Sequence, residues 1–214
     1  RPATPRAANG NRQRGQAADM QRGEAGEWPA NSLHAMFAVY KYLFPVMWTA
    51  CALYWLAMAR GTKAAVRREA WPSRLVHFVP LALAVVLLWR PVSLPDFLTA
   101  RFLPRTAIVF WTGALLALAG FLFAAWARAR IGRNWSAAVT VKAGHELVTT
   151  GPYAIVRHPI YAGLLLAFIG TAVARGDLGA MAAAALAGWA FRRKTGLEER
   201  WMREQFGPAY DAYA

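Results

Sequence analysis

The chain has 214 residues, is 57% hydrophobic and contains ten Trp, and its apolar residues fall in long uninterrupted blocks. Blocks of that kind exclude an ordinary soluble core and point to helices crossing roughly 30 Å of hydrocarbon at about 1.5 Å per residue, while the alternating pattern of a membrane β-barrel is absent from the sequence. The formal net charge is +14 and 21 of the 25 cations are Arg, but they sit in loops between apolar blocks, where they set topology and meet anionic membrane lipid rather than nucleic acid.

Residues Arg1 to Pro29 are polar, rich in Arg, Ala, Gly and Gln, and lack apolar periodicity. They are expected to form a disordered tail, with no apolar region of the kind a cleavable signal needs. A first span is expected over Leu33–Ala59, with Lys41 near its end and Pro45 inside it. A second follows over Leu75–Trp89, containing Pro80, and a third over Thr106–Ala127. The fourth and fifth, Pro159–Ala174 and Leu178–Phe191, are short and joined only by Arg175-Gly176-Asp177, so they form a helical hairpin. Small residues such as Gly163, Gly170 and Gly188 let its helices approach closely. Arg192–Gln205 then reads as an amphipathic helix.

The fold class is therefore an all-α integral membrane protein of about five transmembrane helices. It divides into a tail (1–29), three N-terminal transmembrane helices (30–127) and a C-terminal core (128–214). Five spans place fifteen cations on one side, in the loops around Arg67 and Arg130 and after the last span. The positive-inside rule puts that side, with the C-terminus, in the cytoplasm. An Ala- and Arg-rich, Lys-poor composition points to a bacterial cell membrane.

Chemistry concentrates in Gly132–Pro159, a polar segment with turn residues Gly144, Gly151 and Pro152 and β-prone pieces at Val139–Val141 and Leu147–Thr149. Arg157-His158-Pro159 opens the fourth span, with Pro159 at the first helical position and His158 as cap. The free N–H groups of that helix start, the Arg157 cation, and His158 and Tyr161 three residues apart suit an anionic group such as an amino-acid carboxylate. The same residues also suit a purely interfacial anchor. Glu198 and Glu199 stand among cations after the fifth span, either in salt bridges or facing the site. His34, His77, Cys51 and the scattered Met read as packing residues, and the lone Cys excludes an internal disulfide. No metal site is expected.

Gly151-Pro152-Tyr153, Arg157-His158-Pro159, Tyr161, Gly163, Glu198-Glu199, Phe206-Gly207, Tyr210 and Tyr213 together resemble the isoprenylcysteine carboxyl methyltransferase family and its bacterial relatives that look like phospholipid methyltransferases. The likeness covers about Arg133 to Tyr213. It implies an S-adenosylmethionine-dependent methyltransferase, releasing S-adenosylhomocysteine, with a lipophilic small-molecule or lipidated acceptor. No G-x-G-x-x-G dinucleotide fingerprint competes with this. Carried over by position, His145, Leu147, Val148, Gly151, Pro152 and Tyr153 would line the cofactor, and His158, Pro159 and Tyr161 would meet its amino-acid end. Glu198 and Glu199 would close the site, Glu199 on the cofactor, and Arg157 would orient an acidic substrate or hold a glutamate. The acceptor stays open among carboxylate, amine, phenol and thiol, as does the oligomeric state. Similar C-terminal motifs occur in membrane sterol reductases that use NADPH, and a non-catalytic membrane scaffold is the third reading.

Overall fold

The apolar blocks fold as helices. The computed structural model describes residues 30–59, 65–89, 94–135, 140–142 and 147–214. The expected tail and His145 lie outside the described residues. In chain order the elements are α1 (Ala30–Ala59), β1 (Ala65–Arg68), α2 (Trp71–Trp89), the one-turn α3 (Asp96–Thr99), α4 (Ala107–Ile131), a 3-10 turn at Gly132–Asn134, β2 (Thr140–Lys142), a second 3-10 turn at Gly151–Ala154, α5 (Pro159–Arg175), α6 (Leu178–Phe206) and α7 (Pro208–Tyr213).

Among the described residues, two segments, Trp71–Trp89 and Ala107–Asn134, are long and apolar enough to cross a membrane, while Pro159–Arg175 is apolar but shorter. Only 22% and 39% of the most apolar windows of those two are buried, so they are not enclosed helices of a soluble core. Their outward side chains are large and apolar: Val79, Ile108, Leu115 and Leu122 are 59–70% exposed.

Helix ends follow local chemistry. The Thr106 hydroxyl accepts from the Val109 N–H at 3.3 Å to start α4, and Asp177 accepts from the Ala180 N–H at 2.9 Å to start α6. Between α5 and α6, Gly176 takes φ +63°, a left-handed cap that a side chain disfavours. The Arg175-Gly176-Asp177 turn is the expected hairpin, but its charges are buried. Arg175 Nε bonds Asp177 at 3.0 Å, and its Nη1 donates to the carbonyls of Leu87 (3.1 Å) and Leu88 (2.5 Å) at the end of α2. A cation expected at the surface thus staples α2 to the hairpin.

Closest packing is between α4 and α5, where glycines face backbone. A Cβ on Gly113 would lie 2.5 Å from the Gly170 carbonyl oxygen, and one on Gly120 would lie 2.4 Å from that of Gly163. The two pairs repeat every seven residues, two turns, so one seam of small residues runs along both helices. Trp48 of α1 fills the groove beside this seam, edge-on to Phe121 and Phe168, and donates to the Thr171 hydroxyl at 3.3 Å. A second core joins Ala84, Leu87 and Leu88 of α2 to Ala180, Ala183 and Ala187 of α6.

Two local expectations change. The separate amphipathic helix at Arg192–Gln205 is the second half of α6, a continuous helix of 29 residues. No Gly or Pro breaks the chain at Phe191–Arg192; only the surroundings turn from apolar to polar there. The β-prone stretch around Val141 does form a strand, but it pairs antiparallel with Ala65–Arg68 in the first loop, in the register Arg67↔Val141 and Arg68↔Thr140. Leu147–Thr149 is irregular.

Candidate functional site

The site forms where the start of α5 meets the middle of α6. Pro159 sits at N1 of α5 and lacks only an N–H that no helical carbonyl would have accepted. His158 is the N-cap, and its side chain makes no capping bond, leaving the ring free to turn toward α6. On α6, Glu198 and Glu199 come one turn past Lys194 and Thr195, on the stretch facing α5.

The contacts are specific. His158 Nε2 donates to Glu199 Oε1 at 3.2 Å, in the tautomer that carries its proton there. Arg157 Nη1 reaches the same Glu199 oxygen at 3.2 Å, and Arg203 Nη2 lies 3.6 Å from the other. The Tyr161 hydroxyl donates to Glu198 Oε1 at 2.5 Å, and His158 Nδ1 is 3.7 Å from Glu198 Oε2. Both carboxylates are thus held by groups at or just before the start of α5, and Glu199 also by Arg203 of α6 itself. The rings of His158, Tyr161 and Phe191 form a stack, with centroids 6.0 and 5.4 Å apart. Lys194 Nζ sits 5.2 Å from the Tyr161 ring centroid.

Lys194 lies beyond the apolar half of α6. Burial lowers its pKa, and the carboxylates Glu198 and Glu69 pull it back up. The Tyr153 hydroxyl is pushed up, first by burial and then by Glu198, so it stays protonated. Tyr153 is fixed from the far side: the Tyr213 hydroxyl of α7 donates to its carbonyl at 2.7 Å. Gly207, at φ +51°, makes the turn that folds α7 back for this contact.

These residues wall an open cavity of about 780 Å³. Its polar end is Arg157, His158 and Glu199; its apolar end runs past Leu165 and Gly188 between α5 and α6. Arg157, Tyr153, His158, Tyr161 and Glu199 of the expected set line it, and Glu198 bonds to its Tyr161 wall. Pro152 and Pro159 are buried beneath. Leu147 and Val148 are not with them. They line a second cavity of about 550 Å³ beside Arg130, Arg133 and Asn134 at the end of α4. Gly151 lies at that edge as well: a Cβ there would meet the Arg130 side chain at 3.6 Å. Lys194, Gly188 and the Tyr213–Tyr153 bond were not foreseen from sequence. Lys194 stands four residues before Glu198, the spacing of a helical ion pair, and that was a usable signal.

Comparison with known proteins points the same way. Residues 108–209 match the family model described as phospholipid methyltransferase. Over 109 residues, 50% of this chain, the sequence is 29% identical to a probable protein-S-isoprenylcysteine O-methyltransferase of Oryza sativa subsp. indica. Over 71 residues, 33% of this chain, it is 38% identical to protein-S-isoprenylcysteine O-methyltransferase B of Arabidopsis thaliana. The matched segments span 57% and 36% of those relatives' own lengths. The stretch matched by the phospholipid methyltransferase model, residues 108–209, holds Arg157, His158, Tyr161, Glu198 and Glu199.

Proposed function

We propose that this chain is an integral membrane methyltransferase that takes its methyl group from S-adenosylmethionine and transfers it to a lipophilic acceptor. The observation that carries the reading is one cavity with opposite charges at its polar end, aromatic rings on its wall and an apolar floor between two helices.

The residues present fit the cofactor. About 780 Å³ lies within the usual range for small-molecule sites. Arg157 and the unpaired N–H groups at the start of α5 suit a carboxylate. Glu199 suits an ammonium, and the Tyr161 and Phe191 faces suit a planar base or a sulfonium. When bound, S-adenosylmethionine supplies an electrophilic methyl carried on sulfur. The protein's part is to hold the reacting atoms in line and to exclude water, which together account for several kcal/mol of barrier. A carboxylate acceptor needs no base; an amine or phenol must lose a proton, and Glu199 or His158 is placed to take it. The apolar end at Leu165 and Gly188 supports a lipophilic acceptor arriving sideways between α5 and α6.

The proposed topology has five spans, α1, α2, α4, α5 and the first half of α6. The site and the β1–β2 pair then lie on the cytoplasmic side, in a bacterial cell membrane.

Calorimetric titration of the detergent-purified chain with S-adenosylhomocysteine, and with NADPH in a parallel cell, tests the reading. Micromolar binding of the first alone is expected. Labelled methyl transfer to an S-prenylated N-acetylcysteine or to phosphatidylethanolamine vesicles then identifies the acceptor class. Binding of NADPH alone would make the protein a reductase instead.

A further inference from the structure

A second polar cluster lies between the start of α2 and the middle of α6, built partly from residues outside 108–209. Glu69 and His77 are 4% and 2% exposed. Ser73 donates to Glu69 Oε1 at 2.5 Å and accepts from Arg193 Nη2 at 3.1 Å. His77 Nδ1 lies 3.8 Å from Glu69. Glu69 Oε2, Arg74 Nε, both His77 ring nitrogens and Arg193 Nη1 are buried and find no hydrogen-bond partner among the described residues. A packed apolar contact would hold α2 against α6 at lower cost, since buried polar groups left short of partners are destabilising. Ionisable groups retained inside a largely apolar helical bundle are a functional signal.

The cluster leads to the site. Arg193, held by Ser73, is the neighbour of Lys194 on α6. Lys194 is under the electrostatic pull of both Glu69 and Glu198, and its ammonium stands over the Tyr161 ring. Tyr161 in turn bonds Glu198. We infer that Glu69, acting with Ser73, is a positioning residue for the site: it fixes Arg193 and Lys194, and through them the placement of Tyr161 and Glu198. This rests on the methyltransferase reading, and it makes α2 part of the functional unit.

The test is S-adenosylhomocysteine titration of the full chain carrying Ser73→Ala, Ser73→Thr, Glu69→Gln, Tyr161→Phe, or Glu69→Gln with Tyr161→Phe. Ser73→Ala and Glu69→Gln should each weaken binding at least fivefold, and Ser73→Thr, which keeps the hydroxyl, should bind as wild type. The double variant should lose less than the product of its single losses, because both act on one arrangement. Wild-type affinity in folded Ser73→Ala and Glu69→Gln overturns the inference, as do losses that multiply. Ser73→Ala, which removes a single hydroxyl, keeps the test open if Glu69→Gln does not fold. No binding by the wild type overturns the methyltransferase reading and this inference with it.

Discussion

Three cationic or donor groups converge on Glu199 in the site, with Arg157, His158 and Arg203 all within 3.6 Å of its oxygens. In Glu199→Gln the shape persists but the charge is gone, and three donors are left around a neutral amide. We expect S-adenosylhomocysteine affinity to fall about tenfold, roughly 1.4 kcal/mol, with the protein still folded. His158→Ala should act in the same direction; calorimetry reads both. Lys194 makes a different prediction. Burial lowers its pKa below the usual 10.5, so its charged form opposes folding. Lys194→Met should therefore raise thermal stability at neutral pH. Wild-type stability should climb relative to that variant as pH rises from the lowered pKa toward 10.5, because the unfolded chain then holds a proton that the folded one has lost. Melting curves across that range check the sign. Arg157, His158 and Tyr161 were legible in the sequence because they fall within one helix start. Lys194 carried one local signal, its four-residue spacing from Glu198, but Glu69 carried none: it reaches Lys194 only through the packing of α2 on α6, which no local spacing reveals.

Between elements, the α4–α5 seam sets how closely the site's scaffold can pack. Any Cβ at Gly170 would stand 2.4 Å from the Ala117 nitrogen and 2.6 Å from the Gly113 carbonyl oxygen. Gly170→Leu must push the helices apart, at a cost of at least about 3 kcal/mol. Loss of a monodisperse peak on size-exclusion in detergent is the expected readout. Gly176→Ala costs about 1 kcal/mol for the left-handed backbone, and its Cβ would also stand 2.9 Å from Leu103 Cβ and from Arg101 Nη2, so it should lower the melting temperature by several degrees. The helices themselves could be read from apolar blocks bounded by Pro, Gly and Arg. The β1–β2 pair could not, since four residues ending in Arg67-Arg68 carry no alternation and their partner lies over seventy residues away. The unity of α6 was hidden for another reason: a change from apolar to charged surroundings at Phe191–Arg192 looks like a boundary, although helix propensity continues across it.

For the molecule as a whole, the distribution of charge makes a topological claim that chemistry can check. In a Cys51→Ser background, Arg200→Cys and Asp96→Cys place single exposed thiols at opposite ends of the bundle. A membrane-impermeant maleimide added to intact cells should label Asp96→Cys and spare Arg200→Cys, and inside-out vesicles should reverse the pattern. Labelling of both from one side would remove the five-span arrangement.

The continuity of α6 has a mechanical consequence. The helix is clamped at one end by Arg175 and Asp177 and carries Glu199 about 32 Å away along its axis. In the proposed five-span topology it is a lever whose short, stapled end lies at one membrane face and whose working end lies at the other. A tilt of about 5°, well within what a helix adopts to match bilayer thickness, would swing Glu199 by about 3 Å relative to the stapled end. Lipid acyl length would then act as a tuning knob on the carboxylate's reach. S-adenosylhomocysteine affinity measured in nanodiscs of increasing acyl length should pass through a maximum rather than stay flat.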